Sequence, residues 1–240
     1  MTELLVADHD HIRVLTLDRH HKRNALNNAL IRLMLDELAA ADHDTGVHCI
    51  VLAANGTSFC AGADLDELRT ADDPVAVAAE RSDLLSELNI VVTRMQTPVI
   101  AAVHGPAIGG GAGLALGCDM VLATSKAKFG YPEVKHGITA AMLLPNLLRQ
   151  VGPKIAFELI ATGEAMSADR AYALGMVNRV VAEEDLLTEA LALAAKIASF
   201  GPACMAESKR MFYQLGEMAQ AEGLTLARDV NANLRKSLAH

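Results

Sequence analysis

The spacing of hydrophobic side chains changes several times along the first half of the chain. Residues 11–18 alternate apolar and polar side chains, which is typical of a half-buried strand. Residues 28–39 and 73–95 repeat apolar side chains at helical spacing, whereas residues 47–53 form the nearly continuous apolar run of a strand covered on both faces. Strands that alternate with helices predict a layered α/β fold.

Strands are expected next over residues 99–104 and 120–123, with a short helix over residues 110–117 between them. After residue 129 the same reasoning predicts mostly helices. Later helices are expected over residues 141–150, 153–162, 168–174, 184–199 and 202–215, and a short strand over residues 176–181. No linker rich in Pro, Ser or charge divides the 240 residues, so we predict a single domain over residues 1–240.

Two segments of small residues each follow an apolar strand. The first corner is residues 58–65 (SFCAGADL), and the second corner is residues 105–113 (GPAIGGGAG). Because small side chains leave backbone N–H groups accessible, such corners can face an oxyanion or a phosphate. Two of them indicate a two-donor oxyanion hole, and two tight structural turns are the alternative. The second corner lacks both the GxGxxG spacing of dinucleotide sites and the Gly-Lys-Ser/Thr ending of a P-loop.

Composition narrows the expected partners. The chain is 52% hydrophobic but only 3% aromatic and has no Trp, so its core is expected to consist mainly of aliphatic side chains. The formal charge is −8 and no long run of Lys or Arg occurs, so we expect no nucleic-acid partner. No signal-peptide pattern and no uncharged apolar run of 18 residues is present, so we expect a cytoplasmic protein with no membrane partner.

Cysteine and histidine spacing gives no indication of a metal site. The four cysteines show no CxxC pattern and lie among apolar or small residues, so we expect buried free thiols. The histidines near the N-terminus lack the spacing of a ligand set with known geometry, so no metal is expected.

Four segments in order connect the chain to a known family. They are residues 21–26 (HKRNAL), residues 59–64 (FCAGAD), the second corner and residues 129–133 (FGYPE). With these segments the chain resembles the crotonase superfamily, the enoyl-CoA hydratase/isomerase family. The resemblance implies a spiral core of ββα turns over about residues 1–190 and a C-terminal helical region over about residues 191–240. It also implies that this helical region drives assembly into a homotrimer or a hexamer made of two trimers.

The resemblance further implies an acyl-CoA substrate, with coenzyme A as part of the substrate and no other cofactor. The backbone N–H groups of Ala63 and Gly110 would hold the thioester oxygen, and Glu133 would act as general base and then as general acid. The expected substrate-binding residues are Arg23, Ala25, Ala61, Asp64, Leu65, Gly109 and Pro132. For Asp64 an equally weighted alternative is a cap at the N-terminus of the following helix.

One position departs from the family pattern. Family hydratases carry a second glutamate soon after the start of the glycine cluster, and Gly113 stands at that place in this chain. A single carboxylate can move a proton from C2 to C4 of a 3-enoyl thioester, so the departure favours double-bond isomerisation. The alternatives are an enoyl-CoA hydratase, which is a lyase, with a substituted water-activating group, and an acyl-CoA binding protein without catalysis.

Overall fold

The computed structural model describes residues 2–237 as a mixed α/β fold, which confirms the predicted class. Its strands are β1 (Leu4–His9), β2 (Ile12–Leu17), β3 (Cys49–Ala54), β4 (Val99–Val103), β5 (Pro106–Ile108), β6 (Met120–Thr124), β7 (Lys128–Gly130), β8 (Met166–Ser167) and β9 (Arg179–Val181). Its α-helices are α1 (Asn28–His43), α2 (Leu65–Thr70), α3 (Pro74–Arg94), α4 (Gly110–Leu116), α5 (Leu144–Thr162), α6 (Ala168–Ala173), α7 (Leu186–Ala198), α8 (Pro202–Leu215) and α9 (Gln220–Ser237). Short 3₁₀ helices cover His20–Lys22 and Pro132–His136.

A six-stranded sheet forms the centre of the fold, in the order β1-β2-β3-β4-β6-β9. The strand β1 is antiparallel to β2, and every later neighbour is parallel. All five residues of β4 are buried, because helices cover both faces of the sheet at this position. Helix α7 packs its apolar face on one side of the sheet, while α1, α3 and α4 contribute to the larger cluster on the other side.

A smaller sheet of β5, β7 and β8 carries the second corner and the segment that ends in Glu133. Strand β5 leads directly into α4, and the parallel strand β7 leads into the 3₁₀ helix that contains Glu133. Parallel neighbours point their carboxyl ends in the same direction. The two segments therefore leave the small sheet at the same edge.

Helix α8 is attached to the core by a buried ion pair. The Nζ group of Lys209 donates to Oδ2 of Asp119 and to the carbonyl oxygen of Thr97, each at 2.8 Å. The hydroxyl of Tyr213 donates to Oδ1 of the same aspartate at 2.8 Å. Lys209 and Tyr213, which both lie on α8, thus contact Asp119, the residue that precedes β6. Lys209 is only 6% exposed.

The two helices expected over residues 141–150 and 153–162 are confirmed as the two parts of α5, because Gly152 between them has a non-helical φ of 71° that breaks the helix. One expectation about the cysteines needs correction. Three of the cysteines are buried as expected, but Cys204 is exposed because it lies on the outer side of the first turn of α8. The predicted C-terminal region extends to residues 238–240, which lie outside the described residues.

Within residues 2–237, no single helix is both long and apolar enough to cross a membrane. Helices α7 and α8 reach that length only as a pair, and the two are bent by 101° relative to each other.

Candidate active site

The first corner leaves the backbone N–H of Ala63 free. Leu26 donates its N–H to the oxygen of Gly62 at 2.7 Å, and Asp64 donates its N–H to the oxygen of Leu26 at 2.9 Å. These two hydrogen bonds form a parallel bridge between Leu26 and Ala63, and they use the backbone groups of the residues on either side of Ala63. The N–H of Ala63 therefore points away from Leu26. Among the described residues, no acceptor faces that N–H, and Ala63 itself is exposed.

The second corner leaves another N–H free where α4 begins. Gly109 is the N-cap, with φ of 54° and ψ of −122°, a conformation that favours glycine. The N–H of Gly110 lies in the first turn, where no acceptor exists within the helix, and no other described residue accepts from it. The N-terminus of a helix carries a partial positive charge, so this N–H is suited to face an anion.

The fold brings the two corners into contact. A methyl group on Gly62 would lie 2.6 Å from the oxygen of Ile108 and 3.5 Å from the nitrogen of Gly110. Cys60 extends the contact, since its N–H donates to Pro106 and its oxygen accepts from Ile108 at 2.9 Å. The first corner therefore runs beside β5, and glycine is required at position 62 by this close approach and by its φ of 89°.

Glu133 lies against the start of α4. Its Oε1 is 2.8 Å from the position that a methyl group on Gly109 would occupy. Its Oε2 is buried and accepts no hydrogen bond from any described residue. Burial raises the pKa of Glu133 above its ordinary value, and the residue's own backbone N–H and the charge of His136 oppose the shift only in part. A carboxyl group with a raised pKa is suited to both accept and return a proton.

Other side chains fill the space beside Gly113. A methyl group at this position would lie 2.5 Å from Cδ2 of Leu143 and 2.9 Å from Oδ1 of Asn89. Both distances are shorter than van der Waals contact, so a longer side chain requires these neighbours to move. The N–H of Gly113 donates to the oxygen of Gly109 at 3.0 Å, which places Gly113 one helical turn from the glycine that contacts Glu133.

Sequence reasoning missed Asn89 and Leu143. Asn89 lies on α3 and Leu143 is the N-cap of α5, and each reads in sequence as part of a helical pattern. The sequence gives only a weak indication of Asn89, which is an amide side chain between Leu88 and Ile90 in a mostly apolar stretch.

The predicted substrate-binding residue Arg23 lies next to the first corner, where it contacts Ala61 within the corner. The N–H of Ala61 donates to the oxygen of Arg23 at 3.0 Å. The Arg23 side chain is exposed and forms no ion pair with a described residue, whereas its neighbour Lys22 is paired with Asp66 at 2.7 Å. A free guanidinium group beside the corner can therefore receive a phosphate. Of the other predicted residues, Ala25 and Gly109 are buried, Pro132 is partly buried and Leu65 is 41% exposed.

The side chain of Asp64 is used within the protein. Its Oδ2 lies 2.6 Å from Nη2 of Arg19, and its Oδ1 accepts the N–H of Asp66 at 3.0 Å to cap α2. Burial acts to raise the pKa of Asp64, but the hydrogen bond from Arg19 is among the interactions that outweigh it and hold the pKa below its ordinary value. The cap alternative is therefore correct for this side chain, which anchors the first corner.

Within the part of the chain that the structure describes, no group of three or more His, Cys, Asp or Glu side chains is arranged to hold a metal ion.

Comparisons with known proteins show the family of this chain. The family model described as enoyl-CoA hydratase/isomerase matches residues 8–238. A 2,3-dehydroadipyl-CoA hydratase from Escherichia coli is 38% identical over 231 residues, which cover 96% of this chain and 89% of that protein. A crotonyl-CoA hydratase from Syntrophomonas wolfei is 36% identical over 208 residues, which cover 86% of this chain and 79% of that protein.

Solved structures give the same result. An enoyl-CoA hydratase from Mycobacterium smegmatis has a TM-score of 0.91 at 34% identity, with 97% of this chain and 90% of that chain covered. The chain belongs to the enoyl-CoA hydratase/isomerase family of the crotonase superfamily.

Proposed function

We propose that this enzyme acts on enoyl-CoA thioesters through an enolate and that double-bond isomerisation is its favoured reaction. The observation that carries the proposal is the filled space beside Gly113. Leu143 and Asn89 take the volume that a second carboxylate at position 113 would need, which leaves Glu133 as the proposed base beside the start of α4. Isomerisation needs a single base that reaches two carbons, whereas efficient hydration also needs a held water molecule.

The proposed reaction begins when Glu133 removes a proton from C2 of a 3-enoyl thioester. The electron pair of the broken C–H bond moves toward the thioester oxygen, and the N–H groups of Ala63 and Gly110 stabilise the charge there. By analogy with the oxyanion hole of a serine protease, loss of one such donor should cost roughly 3–4 kcal/mol. The protonated Glu133 then returns the proton to C4, which leaves the double bond conjugated with the thioester.

Substrate binding is proposed to use the residues around the first corner. The protein carries a net charge of −8, so a phosphate-bearing ligand needs local attraction. Arg23 supplies that charge, since it has no acidic partner among the described residues. Ala25, Ala61, Leu65, Gly109 and Pro132 would line the path of the thioester arm, with coenzyme A as part of the substrate and no other cofactor.

Hydration is the second candidate, because relatives of this chain from several organisms carry the name enoyl-CoA hydratase. A binding protein without turnover is disfavoured by Glu133. Burial of an acceptor oxygen without a donor destabilises a fold, and a protein that only binds has no use for such a group.

We further propose a homotrimer or a hexamer in the cytoplasm. Large apolar side chains support an assembly, since Phe157 on α5 is 67% exposed and Phe212 on α8 is 72% exposed. The spiral core and the trimer-forming role of the C-terminal helices remain predictions from the family resemblance.

The proposed function is tested with two substrates and one variant. Purified protein is incubated with trans-3-hexenoyl-CoA and separately with crotonyl-CoA, and the absorbance of the conjugated thioester is followed. We expect a fast gain of conjugation from the first substrate and little loss from the second. Fast hydration of crotonyl-CoA by the unmodified protein would contradict the preference for isomerisation.

The variant Glu133→Gln distinguishes an enzyme from a binding protein. We expect it to lose most of its turnover while its affinity for a CoA thioester stays within a few-fold. Unchanged behaviour in both assays would show that Glu133 has no role in the reaction.

A further inference from the structure

Asn89 presents an unpartnered acceptor to the helix that carries Gly113. Its Nδ2 donates to the oxygen of Leu85 at 2.7 Å, which fixes the orientation of the amide. Its Oδ1 is therefore turned toward Gly113, where it is buried and accepts no hydrogen bond from any described residue. The backbone oxygen of Asn89 accepts from Nδ2 of Asn146 at 2.9 Å, so this part of α3 is held to α5.

Glu133 offers a second unpartnered acceptor at the same end of α4. Its Oε2 and Oδ1 of Asn89 are the two buried side-chain oxygens without a donor among the described residues. The other oxygen of the Glu133 carboxylate, Oε1, lies against Gly109, and Oδ1 of Asn89 lies against Gly113, one helical turn further along.

Leu143 fills the space beside Gly113. Its side chain is 5% exposed, and its Cδ2 is the atom that a methyl group on Gly113 would meet first. The N–H of Leu143 donates to the oxygen of Ala140 at 3.0 Å, and its own oxygen accepts the N–H of Leu147 at 3.1 Å. The backbone is therefore fixed at the start of α5, and the side chain fills the volume directly.

We propose that Leu143 determines the reaction outcome by keeping water away from the bound thioester, and that Asn89 is the acceptor that holds a water molecule when this volume is open. The inference rests on the proposed function, because it explains why one member of a family with many hydratases favours isomerisation. Asn89 is a positioning residue, since an amide oxygen can orient water but cannot take its proton.

Hydration in the opened site would use Glu133 for both proton transfers. The water oxygen forms a bond to C3 of a 2-enoyl thioester while Glu133 takes one proton of the water. The electron pair of the C2–C3 double bond moves toward the thioester oxygen, and the second hydrogen of the water points to Oδ1 of Asn89. Glu133 then delivers the proton to C2, so the atoms of one water molecule are added in full.

The test compares Leu143→Ala and the milder Leu143→Val with Leu147→Ala. Leu147 is a matched control, because it is a buried leucine one turn further along α5 and makes no close approach to Gly113. We measure hydration of crotonyl-CoA and isomerisation of trans-3-hexenoyl-CoA for each variant. We expect the ratio of hydration to isomerisation to rise at least tenfold in Leu143→Ala, to rise less in Leu143→Val and to stay constant in Leu147→Ala.

A second substitution tests the role of Asn89. In the Leu143→Ala background, Asn89→Leu removes the acceptor but keeps the volume, and we expect it to cancel the gain in hydration while isomerisation persists. If the gain remains, Asn89 does not hold the water.

If folded Leu143→Ala and Leu143→Val bind crotonyl-CoA but show no gain in hydration, the inference about Leu143 is wrong. If Leu143→Ala does not fold, the same comparison is made with Leu143→Val. Failure of the proposed function is seen separately, as an absence of isomerisation by the unmodified protein.

Discussion

Glu133 lies so close to Gly109 that a side chain at position 109 cannot fit without displacing the carboxylate. The distance from Oε1 to the position of an added methyl carbon is 2.8 Å, and the φ of Gly109 is 54°. The same glycine caps α4 and thereby presents the N–H of Gly110. One residue therefore fixes both the proposed base and one proposed oxyanion donor.

Gly109→Ala should reduce both activity and stability, whereas a glycine substitution without a neighbouring carboxylate should reduce stability alone. We expect kcat to fall at least tenfold, because the carboxylate must shift, and the free energy of unfolding to fall by about 1–3 kcal/mol from backbone strain. Gly175→Ala is the control, since Gly175 also has a positive φ, 77°, but a methyl group there meets nothing within 4 Å. Isomerase assays and thermal unfolding of both variants check the prediction, and equal activity of the two variants would contradict it.

The raised pKa of Glu133 predicts a pH dependence of activity and of stability. Activity should fall as the pH drops through this raised pKa, because the base must be ionised. The folded state favours the protonated form, so the stabilisation that Glu133 gives is complete below its unfolded pKa of about 4.3 and is lost as the pH rises through the folded pKa. Glu133→Gln should therefore be more stable than the unmodified protein at neutral pH.

Thermal unfolding over a range of pH measures this difference. It should vanish at low pH, where both side chains are uncharged. Glu164→Gln is the control, because it removes one carboxylate from an exposed position. An advantage of Glu133→Gln that does not change with pH would contradict desolvation as the cause.

Asp64→Asn should loosen the first corner. The substitution removes the 2.6 Å partner of the buried Arg19 guanidinium and leaves Glu3, at 2.7 Å, as its remaining carboxylate, so we expect a loss of about 1.5–3 kcal/mol in the free energy of unfolding at neutral pH. Because the folded pKa of Asp64 is lowered, its contribution is present above the unfolded pKa of about 3.9 and disappears as the pH falls through the folded pKa.

Denaturant unfolding at several pH values checks the Asp64 prediction. Asp66→Asn breaks the exposed pair with Lys22 and should cost much less. A similar loss in both variants would show that burial of the pair with Arg19 has no special effect.

The sequence predicts the central strands because their burial is continuous. The strand expected over residues 99–104 is β4, and the strand expected over residues 47–53 is β3, within two residues at its start. Both lie inside the sheet, so nearly every position is apolar and the pattern is unambiguous. The two corners could also be predicted from the sequence, because each needs a glycine. Gly62 lies where two backbone segments approach closely, and Gly109 lies where a carboxylate approaches the backbone.

The contents of the site were harder to predict because they depend on packing between distant segments. Asn89 and Leu143 meet beside Gly113 only after α3 and the start of α5 have packed against α4. Strand β8 has two residues, too few to show a period of two. The sequence spacing alone allowed the side chain of Asp64 to face either the substrate or the protein. In the structure it faces Arg19, which lies 45 positions earlier in the sequence.

Lys209→Met should detach α8 from the core without unfolding the central sheet. The substitution keeps the apolar length of the side chain but leaves Asp119 without the cation that contacts its Oδ2 at 2.8 Å. Since the Lys209 side chain is 5% exposed, we expect a loss of about 3–5 kcal/mol. Tyr213→Phe removes only the hydrogen bond to Oδ1 and should cost about 1 kcal/mol.

Hydrogen exchange shows whether the Lys209→Met variant loses stability only in α8 or throughout the fold. Amides of α8 should exchange faster, while those of β3 and β4 should keep their protection, because Lys209 joins α8 to the segments that precede β4 and β6 and donates to no residue within a strand. Tyr213→Phe should show little change at either place. Faster exchange throughout β3 and β4 in Lys209→Met would mean instead that the ion pair supports the sheet itself and that α8 is not an independently docked element.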